Sequence, residues 1–60
     1  MIIGFEEFQI DGYMLRVELV NRIPNGYMLI DEQKGYKIYR KDEQFTKDTY
    51  HYYIGIKSDR

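Results

Sequence analysis

The chain has 60 residues, of which 43% are hydrophobic, and a formal net charge of −1. This length allows one small β domain over residues 1–60, close to the lower size limit for a core that is stable alone. The chain has no cysteine, which excludes disulfides and thiolate zinc sites, and no apolar run approaches the ~20 residues of a membrane span.

The first predicted element is a β-hairpin that turns at Asp11-Gly12. An Asp-Gly pair between two alternating runs is typical of a two-residue loop, because both central residues need positive φ. The turn sets the register of the cross-strand pairs Ile10 with Tyr13, Phe8 with Leu15 and Glu7 with Arg16. One face then carries the predicted core residues Phe8, Ile10, Tyr13, Leu15, Val17 and Leu19. Glu6 shares that face, so we expect it to lie near an edge.

A second turn is predicted at residues 22–26, where Pro24 precedes Asn25-Gly26. If it closes a five-residue loop, strand three runs back along strand two. The expected pairs are Asn21 with Tyr27 and Leu19 with Leu29. A third turn at residues 32–35 would then lead into a fourth strand over residues 36–40, with Leu29 facing Ile38.

The segment between Lys41 and Thr49 is polar apart from Phe45. It is expected to hold one turn of helix, with Asp42 as the N-cap. The last strand runs from Tyr50 to Lys57, and Gly55 within it indicates a bend or a close backbone approach.

These elements predict an all-β fold: a five-stranded antiparallel meander that forms a curled sheet or a small barrel of the Src-homology or OB type. The second face of the sheet carries eight apolar side chains, which is too many for a solvated surface. They are Ile3, Phe5, Met14, Val20, Met28, Ile30, Tyr39 and Tyr53. Either the sheet curls to cover them or this face is an interface. The barrel with a residual exposed patch is favoured. Self-association into a homo-oligomer is expected through an edge strand or through the face that carries Met14, Met28 and Ile30.

Catalysis and metal binding find little support in the residue types. The chain has one histidine, His51, and one serine, Ser58, so no nucleophile, base and orienting group can be assembled. His51 has no second histidine, and its nearest acid, Asp48, has no recognisable ligand spacing. We therefore expect a protein that is not an enzyme and that uses no metal or cofactor.

Function is expected on an aromatic surface formed by Tyr39, His51 and Tyr53, with Lys37 and Arg40 as charged neighbours. Tyrosine is enriched at protein-binding surfaces, although the same rings could also be structural cover for the sheet. The favoured function is a cytoplasmic protein-interaction module, for instance a phage-type inhibitor that blocks a host enzyme or defence protein. The absence of alanine suggests an AT-rich coding sequence, which is common among short phage genes.

The alternative function is a small nucleic-acid-binding barrel, in which tyrosines stack on bases. Its cations would be Lys34, Lys37, Arg40, Lys41 and Lys57. Affinity for nucleic acid comes largely from phosphate neutralisation, and the sequence pI is about 5.7. The acidic balance therefore favours a protein partner.

Overall fold

The computed structural model describes residues 2–58 and contains five strands within them. These are β1 (Ile2–Ile10), β2 (Tyr13–Val20), β3 (Met28–Gln33), β4 (Tyr36–Phe45) and β5 (Asp48–Lys57). They form one curled, mixed sheet with the shape of a half-barrel. The prediction of an all-β fold with a curled sheet is therefore confirmed. Across residues 2–58, no helix has the length and apolarity that a membrane crossing requires.

The β1–β2 hairpin has the predicted turn and the predicted register. Ile10 pairs with Tyr13, and the ladder continues through Phe8–Leu15 and Glu7–Arg16. The turn residues Asp11 and Gly12 have φ angles of 52° and 83°. Both lie in the left-handed region that an Asp-Gly turn requires.

Replacing Gly12 by valine should lower the free energy of unfolding by about 1–2 kcal/mol, because a β-branched residue is disfavoured at positive φ. A Cβ atom at this position would meet no atom within 4 Å, so the loss would come from the backbone alone. Gly12→Asn is the control, since asparagine tolerates this conformation. Urea unfolding that shows equal stability for the two variants would contradict this assignment.

The core lies on the inner, concave face of the sheet. Its buried side chains are Phe8, Ile10, Val17, Leu19 and Ile38. Leu15 is half-buried against this cluster. Tyr13 was expected in the core but is 71% exposed. It lies beside the hairpin turn, at the end of β2 farthest from the pairing with β5, so no neighbouring strand covers it.

The strand order is β1-β2-β5-β4-β3, which corrects the predicted meander. The strand that runs beside β2 is β5, and it is parallel to β2 over the pairs Glu18–Ile54, Leu19–Gly55 and Val20–Ile56. A Cβ atom on Gly55 would lie 3.1 Å from Leu19 Cδ2. The group that approaches Gly55 closely is therefore a side chain and not the backbone that one of the two predicted alternatives specified, and the absence of a side chain on Gly55 leaves room for Leu19.

Residues 21–27 connect β2 to β3 across the outer face, the face opposite the core. The expected pairs of Asn21 with Tyr27 and of Leu19 with Leu29 do not form, because this segment crosses the sheet to its far edge and does not turn back. The Nζ atom of Lys41, on the outer face of β4, lies 5.4 Å from the centre of the Tyr27 ring. Val20 and Ile54, also on the outer face, are only 8% and 5% exposed. The crossing segment thus covers part of the second apolar face.

The β3–β4 hairpin turns at Lys34-Gly35, which is tighter than the expected four-residue turn. A bulge between Leu29 and Asp31 shifts the register, so Leu29 faces Tyr39 and Ile38 faces Asp31. The predicted pair of Leu29 with Ile38 is therefore wrong. An extra residue on one strand redirects the side chains beyond it.

No helix forms between Lys41 and Thr49, which corrects that prediction. β4 continues to Phe45, and β5 begins at Asp48 after a turn at Thr46-Lys47. Residues 41–52 form a two-stranded extension beyond the start of β3, here called the arm. Polar residues suit such an arm because both of its faces meet water. Asp42, which was predicted to be a helix N-cap, is the cross-strand partner of His51 in the arm.

Side chains join the open edges of the half-barrel. Gln33 Nε2 donates to the Gln9 carbonyl oxygen at 2.9 Å, and Lys34 Nζ donates to the Glu7 carbonyl oxygen at 2.6 Å. Lys34 Nζ also lies 3.3 Å from Glu6 Oε2. Glu6 therefore lies at an edge, as predicted, and part of the β1 edge is capped without a backbone ladder.

Candidate interaction site

The structure divides the five predicted partner-binding residues between the two faces of the sheet. Arg40 pairs directly with Tyr53, and Tyr39 pairs with Ile54, in a β4–β5 ladder without register shifts. Side chains alternate along a strand, so Arg40, His51 and Tyr53 lie on the inner face, whereas Lys37 and Tyr39 lie on the outer face. The prediction that Tyr39, His51 and Tyr53 share one face was wrong, because Tyr39 pairs with Ile54 and therefore lies on the face opposite Tyr53 and His51.

A notch separates the β1–β2 hairpin from the arm. β2 and β5 pair over three residue pairs only, ending at Glu18–Ile54. Beyond this point, residues 13–17 of β2 and residues 48–53 of β5 are paired only on their far sides. The notch is the space between these two segments.

Each face of the notch opens into a cavity. The inner cavity has a volume of about 460 Å³ and the outer one about 360 Å³. Leu15, His51 and Tyr53 line both. Tyr13 and Arg40 line the inner cavity but not the outer one. Three of the five predicted residues, Arg40, His51 and Tyr53, therefore meet at this notch.

Backbone groups of β2 face the notch at alternate residues. The carbonyl groups of Glu7 and Gln9 point away from β2, since Lys34 and Gln33 bind them from the open edge. Glu7 and Gln9 therefore belong to the non-hydrogen-bonded pairs of the β1–β2 ladder. Their partners are Arg16 and Met14, whose own N–H and C=O groups must point away from β1 and into the notch.

The same reasoning applies to β5. The N–H of Ser58 donates to the Gly35 carbonyl oxygen at 2.8 Å, so Ser58 directs its backbone toward the β4 side. The N–H and C=O groups of successive residues alternate in direction along a strand. Residues of β5 at odd positions therefore direct their N–H and C=O groups away from β4 and toward β2. Thr49 and His51 therefore present backbone donors and acceptors to the notch, opposite those of β2.

An ionic cluster orders the inner face of the arm. The Asp42 Oδ1 atom lies 2.7 Å from His51 Nδ1 and 3.1 Å from Arg40 Nε. The hydrogen bond from His51, followed by the Arg40 charge, holds the pKa of Asp42 below its ordinary value of 3.8. The cluster keeps the Asp42 carboxylate ionised, and this carboxylate fixes the His51 ring at the edge of the notch.

We expect Asp42 to add to the acid sensitivity of the fold. Its pKa is lowered in the folded state, so its contribution to stability is present above the ordinary value of 3.8 and is lost as pH falls below it. Asp42→Asn should therefore show a smaller loss of stability than the wild type over that acid range. Urea unfolding at a series of pH values measures the difference. Identical acid profiles for the two proteins would show that the cluster contributes nothing.

Aromatic side chains surround the notch more densely than the sequence predicted. Tyr13 lines the inner cavity, Tyr52 lines the outer cavity, and Tyr50 stands on the arm with its ring centre 5.3 Å from that of Phe45. All four of these rings are exposed. Sequence reasoning missed them because it assigned Tyr13 to the core and placed Phe45 in a helical turn. Tyr50 and Tyr52 were predicted on the last strand but were given no part in the site.

The three residues expected to mediate self-association differ in their environment. Met14 and Met28 are 62% and 71% exposed, so they can contact another molecule. Ile30 is half-buried and packs against the core, since the bulge beside it turns it inward. Ile30 is therefore not an exposed contact residue, and self-association itself stays a prediction.

Comparison of the chain with protein-family models, curated proteins and solved structures found no significant match. Within residues 2–58, no three His, Asp or Glu side chains are grouped closely enough to hold a metal ion. The strand edges, cavities and side chains of the notch are therefore the features from which a function can be inferred.

Proposed function

We propose that this protein is an interaction module that accepts an extended segment of a partner protein as an additional strand in the notch. The observation that carries the proposal is the pair of strand edges that face each other there with no strand between them. Such edges are ready templates for pairing with another chain. Strand addition is a recurrent mode of peptide recognition, in which main-chain hydrogen bonds provide affinity.

The two edges of the notch run in the same direction. β2 and β5 are parallel, so one segment has the same orientation relative to both. Met14 and Arg16 would bond it from one side, and Thr49 and His51 from the other. Each of these hydrogen bonds would contribute about 0.5–1.5 kcal/mol net.

Side chains of the inserted segment would alternate between the two cavities, because successive residues of a strand point to opposite faces. The inner cavity offers Tyr53, His51 and Leu15, and the outer one adds Tyr52 and Tyr27. Buried tyrosines often dominate binding energy at protein interfaces. Specificity would thus come from two alternating sets of partner side chains.

Binding of this kind hides the captured segment from other molecules. This supports the inhibitory role favoured by the sequence, in which a phage-type protein acts in the cytoplasm on a host enzyme or defence protein. The target segment would be an exposed strand or loop that the enzyme needs for its activity.

The alternative of nucleic-acid binding has weaker support. Three of the cations assigned to it are paired with acids: Arg40 with Asp42 at 3.1 Å, Lys41 with Glu43 at 3.4 Å, and Lys34 with Glu6 at 3.3 Å. Paired cations offer less net charge to phosphates, whose neutralisation provides most of the affinity for nucleic acid.

Two proline substitutions test the proposal with closely matched controls. Met14 and Gln9 face each other in one non-hydrogen-bonded pair of the β1–β2 ladder, and both are exposed. Proline removes the N–H without breaking that ladder, because neither N–H belongs to it. We expect Met14→Pro to abolish binding of a partner identified by co-purification, whereas Gln9→Pro should retain it. Circular dichroism checks that both variants stay folded.

Equal binding by the two variants would contradict strand addition at the notch. Binding to single-stranded DNA or RNA that weakens steeply with salt would instead support the alternative function.

A further inference from the structure

A second cavity lies on the outer face of the sheet, away from the notch. Its volume is about 480 Å³, within the range of about 300–1,000 Å³ usual for small-molecule sites. The beginning of the crossing segment forms one wall. The floor is formed by the beginnings of β1 and β4 and by the ends of β2 and β5. Its lining residues are Ile3, Val20, Asn21, Ile23, Lys37, Tyr39, Ile56 and Lys57. None of them lines either cavity of the notch.

The lining combines an apolar floor with hydrogen-bond donors. Four of the eight residues are isoleucine or valine, and no carboxylate is among them. The polar groups are the ammonium groups of Lys37 and Lys57, the Tyr39 hydroxyl and the Asn21 amide, and each of them can donate to an anion. Lys37 is half-buried, so its alkyl stem can cover apolar surface while its ammonium group stays at the mouth of the cavity.

Among residues 2–58, a carboxylate lies on the strand beside Lys37 but outside the cavity lining. Glu32 is the cross-strand partner of Lys37. Its Oε2 atom accepts a hydrogen bond of 2.9 Å from Ser58 Oγ, and Glu32 does not line the cavity. Positive charge therefore predominates at the cavity wall.

We propose that this cavity binds a small amphipathic carboxylate, a short aliphatic chain that ends in one carboxylate group. The chain would lie against Val20, Ile23 and Ile56, and the carboxylate would meet the ammonium groups of Lys37 and Lys57. Charge-assisted hydrogen bonds to a carboxylate are roughly twice as strong as neutral ones. The site is independent of the notch, and it accounts for Lys37 and Tyr39, the two predicted residues that the notch does not include.

Octanoate and octanol, which share an alkyl chain of similar length, test the proposal. Titration of the full chain by NMR, observed at the methyl groups of Val20, Ile23 and Ile56, measures both affinities. We expect octanoate to bind about tenfold more tightly than octanol, because only octanoate forms charge-assisted bonds. The double variant Lys37→Gln/Lys57→Gln should lose this preference, and Lys47→Gln, in the turn of the arm, should keep it.

Equal affinity of the wild type for octanoate and octanol would overturn the proposal. So would a double variant that still binds octanoate more tightly than octanol. A Lys47→Gln variant that loses this preference as fully as the double variant would also overturn it, because the preference would then reflect net charge and not the two cavity lysines. The two single variants, Lys37→Gln and Lys57→Gln, provide the same comparison if the double variant fails to fold.

Discussion

Replacement of Phe8 by alanine is expected to remove most of the stability of the fold. Phe8 is 0% exposed, and its ring meets that of Tyr36 edge-on with centres 5.8 Å apart. Removing a buried phenylalanine side chain costs about 3–5 kcal/mol. A chain of this length has a total stability of roughly 3–9 kcal/mol, so the loss consumes much or all of it.

Phe5→Ala is the matched control for this substitution. Phe5 lies on the same strand but on the outer face, half exposed, with the Arg16 guanidinium 4.5 Å from its ring centre. Loss of this exposed contact should cost about 1 kcal/mol or less. Thermal unfolding followed by circular dichroism compares the two variants, and similar losses would contradict the placement of the core.

Replacement of Gly55 by valine is expected to separate the two halves of the sheet. A Cβ atom there would lie 3.1 Å from Leu19 Cδ2 and 3.7 Å from both Ile38 Cδ1 and Val17 Cγ1. Overpacking of this kind costs about 1–3 kcal/mol. The effect should be large in this protein because β2 and β5 are joined by three residue pairs only.

A double-mutant cycle with Leu19→Ala identifies the cause. Leu19→Ala removes the side chain that the new valine would strike, so the double variant should be more stable than the sum of the two single losses predicts. Additive losses, measured by urea unfolding, would show that Gly55 does not set the spacing of β2 and β5.

Local sequence signals predicted the first hairpin in detail. Asp11-Gly12 specifies its turn chemistry within two residues, and the alternation around it sets the pairs from Ile10–Tyr13 to Glu7–Arg16. Phe8 and Val17 were placed in the core for the same reason. These features depend on neighbours in the sequence, which is why the sequence alone revealed them.

The strand order could not be predicted in the same way. A turn containing Pro24-Asn25-Gly26 is compatible both with a hairpin and with the start of a crossing segment, because turn chemistry sets local angles and not the next partner strand. Gly55 carried the only signal of the parallel pairing. It indicated a bend or a close backbone approach, without indicating which strand would lie beside it.

The candidate site was predicted in part. Arg40, His51 and Tyr53 line the notch, but the notch itself arises where β2 diverges from β5, and this depends on the strand order. The roles of Tyr13 and Tyr52 follow from the same topology. The aromatic residues of the site are therefore visible in the sequence, whereas its two open strand edges depend on the strand order and are not.

Amide hydrogen exchange in the free protein and in the partner complex tests strand addition most directly. In the free protein, the amides of Met14, Arg16, Thr49 and His51 should exchange fast, since they face the notch, whereas their neighbours in the two ladders should exchange slowly. In the complex, these four amides should become protected, while the outward-facing amide of Phe5, on the β1 edge, stays unprotected. Protection that appears at the β1 edge and leaves the notch amides unchanged would contradict strand addition at the notch.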